Sequence, residues 1–255
     1  MKQSADEMQS VLHQLMDLGM AMMANGAEVN RVEDTLNRLG RAYGARQTNV
    51  LVITSSIIIT MIFPDGQELT QTRRILNPGG TDFTKLEKLN ALSRECCARP
   101  LTAAQLGSRI QSICSDDMPR SVLWLSSILT AGSFTLFFDG NIPDALTAMF
   151  FAVIVCILQE KLAPLCPNRI VFNLLAAMVT GLGIGATVHL LPFLHGDKIM
   201  IGDIMLLIPG LAMTNSIRDM LVGDTISGIM RLIESLLWAA ALAFGFMAAI
   251  WLTGG

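Results

Sequence analysis

The densest run of residues able to handle a charged solute lies between Asp203 and Glu234, inside an otherwise apolar half of the chain. Thr214, Asn215, Ser216, Arg218, Asp219, Asp224, Thr225 and Ser227 crowd together there. A guanidinium such as Arg218 can take a carboxylate in a two-pronged contact. Asn215 and Asp219 are four residues apart and share a face if the segment is helical. Asp219 or Asp224 could hold an amino group or a coupling proton. The same residues also read as an ordinary solvated loop with a neighbouring Arg218–Asp219 pair, and both readings stay open. Just upstream, Pro209-Gly210 interrupts apolar sequence. Proline removes a backbone donor and clashes with the preceding turn. At membrane depth such a break is tolerated where it is re-satisfied by neighbours or lines a cavity. A plain structural kink and a solute-lining break are therefore the two readings. Asp203 and Glu234 are ionisable groups set in apolar sequence near the edges of that region, a costly placement in lipid.

A second polar cluster, Glu28, Asn30, Arg31, Glu33 and Asp34, follows the Asn25-Gly26 turn signal. Hydrolysis would need a nucleophile with a base, or a metal set. The sequence holds no GxSxG, no HExxH and no phosphate loop. A salt-bridged helix surface or a docking surface is the expectation, with no catalytic residue and no cofactor. Cys96, Cys97, Cys114, Cys156 and Cys166 lack metal-ligand spacing, and His13, His189 and His195 are scattered, so no metal site is expected. Reduced thiols suit a cytosolic location for the first half.

The elements that must position these residues divide between two solvents. From Met1 to Arg120 there are thirteen Lys and Arg against thirteen Asp and Glu; from Ser121 onward there are five against eight. Only 15% of all residues are charged, against about 25% in ordinary globular chains. The net charge of −3 gives no basic footprint, which argues against nucleic acid as a partner. The start, MKQSADEMQS, lacks the apolar core of a signal peptide.

Residues 1–118 read as a soluble cytoplasmic α+β domain. Met8, Val11, Leu12, Leu15, Leu18 and Met22 predict a helix over 4–24, and Val29, Val32, Leu36 and Leu39 a second over 27–43. Three strands follow (TNVLVIT, IIITMIF and ELTQTRRI), with Pro64-Asp65-Gly66 as a turn and Asn77-Pro78-Gly79-Gly80 as a break. Helices over 82–98 and 102–114 close the domain, the latter opened by a capping box of Thr102 and Gln105.

Residues 119–255 read as a transmembrane domain of about five helices, near 121–138, 143–160, 170–194, 199–214 and 226–252. The fold class expected is thus an α-helical membrane protein carrying an N-terminal cytoplasmic α+β domain. Gly181, Gly183 and Gly185 in the third span either let neighbouring helices approach or line a solute path. Arg120, Lys161, Arg169, Arg218 and Arg231 lie on one side of such a chain and Lys198 on the other. The excess of basic loop residues places the N-terminal domain in the cytoplasm and the C-terminus outside.

Two motifs carry a resemblance. NGAEVNRVEDTLNRLGRAYG, from Asn25 to Gly44, and IPGLAMTNSIRDMLVGDTISGIMRLIE, from Ile208 to Glu234, together resemble the threonine/serine exporter family in its split, two-gene form. The resemblance covers nearly the whole chain. Fused members look like a soluble domain followed by ten spans; this chain stops after about five. The resemblance therefore implies a partner, a second small multi-span membrane subunit, besides the lipid bilayer and a homo-oligomer as a further arrangement. It implies a small carboxylate-bearing solute, an amino acid such as threonine or serine or a dicarboxylate such as succinate. The pattern positions it marks are Gly26, Glu28, Arg31, Glu33, Pro209, Gly210, Asn215, Arg218, Asp219, Gly223, Asp224 and Gly228. With no nucleotide-binding motif, an ion gradient is the expected driving force. The competing expectations are a membrane-anchored enzyme or a regulatory subunit whose first domain carries the activity.

Overall fold

A computed structural model describes residues 5–75 and 80–254; of the expected break at 77–80, all but Gly80 lies outside the described residues. The chain forms two units. One holds the residues up to Asp117 together with Thr214–Leu232, and the other holds Met118–Met213 together with the residues from Ile233 onward.

The first unit is a helix pair, a three-stranded sheet and a second helix pair. Helix α1, Ala5–Ala24, buries Val11, Leu12, Leu15, Leu18 and Met22 along one stripe. Helix α2, Val29–Ala42, buries Val29, Val32, Leu36 and Leu39, the three- and four-residue recurrence that keeps one helical face dry. Between them Gly26 adopts φ +89, a left-handed conformation that costs glycine nothing. Strands β1 (Gln47–Ile53), β2 (Ser56–Ile62) and β3 (Glu68–Arg74) form an antiparallel meander. In β2, Ile57, Ile59 and Met61 are buried while the residues between them are half-exposed. This strict alternation is the mark of a sheet with one face on a core. Each fully buried Leu or Ile side chain contributes about 1.5–3 kcal/mol. Helix α3, Phe83–Ala98, starts on the Asp82 side chain, which accepts from the Lys85 N–H. Helix α4, Ala103–Ser115, starts on the full Thr102–Gln105 capping box that the sequence spacing predicts.

The second unit is helical. It comprises α5 (Arg120–Phe137), α6 (Ile142–Lys161), α7 (Arg169–Leu190) and α8 (Gly196–Ile204), with the start of α9 (Gly210–Val222) and most of α10 (Thr225–Thr253). Among the described residues three stretches are long and apolar enough to cross a membrane: Ile142–Leu165, Arg169–Leu190 and Thr225–Thr253. Phe137, Leu146, Phe150, Leu190 and Trp251 stand more than half exposed, an apolar exterior that soluble monomers avoid and lipid accepts. The chain is therefore a mostly helical membrane protein.

The helix of the fourth expected span, 199–214, is broken ahead of Pro209-Gly210. It stops at Ile204, unwinds through residues 205–209 and restarts at Gly210. The residue before a proline is driven out of the α region, so Pro209 forbids the continuous helix. Helices of nine and thirteen residues are about 14 and 20 Å long, and neither alone reaches across a core of about 30 Å.

The glycines of the third expected span prove to be packing positions. A Cβ at Gly181 would lie 2.7 Å from the Ala249 Cβ, one at Gly183 2.6 Å from the Phe151 ring and one at Gly185 2.6 Å from Thr253. From the other side, a Cβ at Gly245 would lie 2.5 Å from the Leu174 carbonyl oxygen. Small residues here let α7 approach α6 and α10, the first of the two readings.

Candidate functional site

The two sequence motifs meet inside the first unit. Glu28 occupies the N-cap of α2 with extended backbone and does not cap the helix with its side chain. Its Oε1 instead pairs with the Arg218 guanidinium of α9 at 2.8 Å. One residue later in each helix, the Val29 N–H donates to the Asp219 carboxylate. Val29 N–H belongs to the first turn of α2, where backbone donors have no partner within the helix. Asp219 supplies one, and its charge suits the positive end of the helix dipole.

Asp219 is 2% exposed, and its Oδ2 lies 3.0 Å from the Arg231 guanidinium of α10. The approach is off the line of a hydrogen bond, so this contact is charge against charge. A tight hairpin produces it. Gly223 at φ +111 turns the chain between α9 and α10, and the Asp224 N–H closes on the Asp219 carbonyl at 2.9 Å. Gly228 then lies against Met220 and the Ser216 carbonyl, where a Cβ would come within 2.4 and 2.7 Å. Gly223 and Gly228 are thus scaffold for the charged pair.

Glu33, one turn along α2, accepts from the Val52 N–H at 2.8 Å and ties α2 to β1. Burial raises its pKa; the Val52 bond opposes this, and the nearby Asp224 charge adds to it. The Asp219 carboxylate lies between the Arg231 guanidinium and the like charges of Asp224 and Glu28. Four carboxylates, from Glu28, Glu33, Asp219 and Asp224, therefore share two guanidinium groups.

The other expected residues fall elsewhere. Gly26 holds the α1–α2 corner against Thr81, 3.0 Å from its would-be Cβ. Arg31 is exposed, with no ion pair among the described residues. Asn215 is half-exposed while Asp219, four residues on, is buried. Pro209 is buried in the second unit, and Gly210 beside it opens on space with nothing within 4 Å of a would-be Cβ. Two surface concavities, along α4 and between α1 and α4, hold none of the candidate residues. Sequence reasoning missed Arg231 as a partner. The signal was the Gly223-Asp224 turn, which folds the flanking helices back so that residues either side of it face each other. Among the described residues no group of three or more His, Cys, Asp or Glu could hold a metal.

A family model described as "Putative threonine/serine exporter" matches residues 13–253. The chain is similar to a protein of Klebsiella aerogenes named "Probable succinate transporter subunit YjjP", with 23% identity over 257 residues, 100% of this chain and 98% of that protein. It is similar also to the Escherichia coli K12 protein of the same name, with 26% identity over 254 residues, 98% of this chain and 97% of that protein. No solved structure matches.

Proposed function

Because the chain belongs to the threonine/serine exporter family, we propose that it is one subunit of an exporter for small polar metabolites in the cell inner membrane, working beside a second small multi-span subunit. The family match carries this reading, and the word "subunit" in the relatives' names supports the partner. The N-terminal domain, residues 1–118, faces the cytoplasm and the C-terminus lies outside. Residues 119–255 cross the bilayer about five times, the fourth time as the broken α8–α9 pair. An odd-span unit needs a second odd-span unit to form the inverted pair in which transporters commonly place their solute.

The solute site assigned is Pro209, Gly210, Asn215, Arg218, Asp219 and Asp224, with Gly26, Glu28, Arg31 and Glu33 as its cytoplasmic counterpart. Arg218 takes the solute carboxylate, and Glu28 holds that guanidinium when no solute is present. The surplus of carboxylates favours a solute that also brings a cationic group, such as threonine or serine. Succinate, named for the relatives, fits if the cluster binds protons with it.

Efflux of threonine, serine and succinate from cells carrying the chain, with and without its partner, tests the reading. A solute carboxylate that displaces Glu28 gains less than a full charge-assisted hydrogen bond of about 1.5–3 kcal/mol, so Arg218→Gln is expected to raise the half-saturating solute concentration by less than about tenfold. Unchanged efflux of all three solutes on deletion of the chain would reject the exporter reading.

A further inference from the structure

Asp203 lies in the second unit, in the last turn of α8, and is 0% exposed. Neither of its carboxylate oxygens accepts a hydrogen bond. Its neighbour Gly202 is pressed so closely on α5 that a Cβ there would come 2.1 Å from Thr135 Oγ1 and 2.6 Å from the Ala131 carbonyl oxygen. The Thr135 hydroxyl already donates to that carbonyl. Ile199, one turn back, belongs to an apolar cluster with Ala131, Ala148, Phe151 and Ile184.

Among the described residues no cation answers this carboxylate. On α5, Arg120 is exposed at the helix start. On α6, Asp144 accepts from the His195 and Asn141 N–H groups, Glu160 accepts from the Trp124 indole, Lys161 is exposed and Cys156 is a buried thiol. On α7, Arg169 lies over the Trp238 ring and His189 is exposed. On α8 itself, Lys198 pairs with Asp197 in the first turn. On α10, Glu234 is exposed. A carboxylate there would be a buried charge with no partner, a costly placement. Immediately after it the helix unwinds through residues 205–209, a place where the backbone can adopt a second arrangement and admit water.

We propose that Asp203 is the proton-carrying group of the transport cycle, a role that rests on the exporter reading. In the arrangement described here its O–H bond is intact. When the 205–209 break rearranges, that bond breaks, the proton passes to water on the cytoplasmic side and the carboxylate keeps the electron pair. A proton from the outer solution restores the acid as solute leaves the cell.

Liposomes holding the chain and its partner subunit, with a pH dye inside, test this with labelled threonine, serine and succinate. Wild-type protein is expected to drive solute movement from an imposed pH gradient, with matching proton flux. Asp203→Asn is expected to lose gradient-driven movement at least tenfold while keeping solute-for-solute exchange. Wild-type pH dependence in Asp203→Asn overturns the proposal, as does drive by a sodium gradient alone. If Asp203→Asn does not accumulate, Asp203→Glu replaces it, and a shifted pH profile of transport is expected; an unshifted one overturns the proposal. If the wild-type pair moves none of the solutes, the exporter reading fails. The proton site is then judged on the chain alone by dicyclohexylcarbodiimide, which attacks protonated carboxyls in apolar surroundings. Labelling of Asp203 at pH 7.5 supports it; an unlabelled Asp203 overturns it.

Discussion

Arg231→Gln is the sharpest perturbation of the polar cluster. It strips the cation from Asp219, which is 2% exposed and already feels the charges of Asp224 and Glu28. Removing one partner of a buried ion pair costs about 3–5 kcal/mol. Two features place this pair at the lower end: the Arg231 side chain keeps 16% exposure, and Asp219 can take up a proton. Protonating a carboxyl of ordinary pKa near 4 at pH 7.5 costs about 5 kcal/mol, which caps the loss. We expect about 3 kcal/mol, a fall in melting temperature of about 6–12 °C for a body of this size. The three tryptophans, Trp124, Trp238 and Trp251, belong to the second unit, so tryptophan fluorescence is blind to the first. Cys96 is the better reporter, since it is fully buried in the first unit's core. With Cys97, Cys114, Cys156 and Cys166 changed to Ser, a thiol-reactive dye reads only its exposure on heating. The loss should shrink at pH 5, where taking up a proton costs a carboxyl less than at pH 7.5. Adding Asp219→Asn should recover most of it, because the amide oxygen still accepts from Val29. A melting point within about 2 °C of the parent at pH 7.5, or an equal loss at pH 5, refutes the reasoning.

Glu33→Ala leaves the Val52 N–H of a 2%-exposed residue without its acceptor, and the same dye assay should report a loss of about 1–3 kcal/mol. Glu33→Gln keeps an acceptor and should lose less. Burial raises Glu33 in the folded chain. Its contribution is therefore full below the ordinary carboxylate range and is lost as pH rises through the raised value, so the melting point should fall from acid toward neutral pH and Glu33→Gln should flatten that slope. Gly245→Ala drives a methyl group onto the Leu174 carbonyl oxygen; overpacking of this kind costs about 1–3 kcal/mol, read with Cys156 as the sole thiol. For the orientation, a cysteine placed at Gly254 should react with an impermeant maleimide in intact spheroplasts, and one at Gly66 only after lysis; the reverse pattern inverts the proposed topology.

What the sequence made legible was local. The Thr102–Gln105 capping box, the alternation through Ile57, Ile59 and Met61 and the stop at Pro209 each depend on residues within a turn or a strand. The site was legible as two motifs and illegible as one cluster, because Glu28 and Arg218 are brought together across 190 positions by packing that no period encodes. The same limit hid Arg231, whose spacing from Asp219 makes sense only after Gly223 has turned the chain. This has a consequence for recognition. Read in sequence, Arg218 is either a cation awaiting a carboxylate or the solvated neighbour of Asp219; in the fold it is held by Glu28. A solute must then displace a carboxylate before it gains one. The net gain is the difference between two similar contacts, smaller than a single charge-assisted bond. Affinity would be low, as a carrier that must release its cargo requires. Glu28→Gln should therefore tighten solute binding at rest and slow release, whereas a purely structural Glu28 would weaken both stability and transport together.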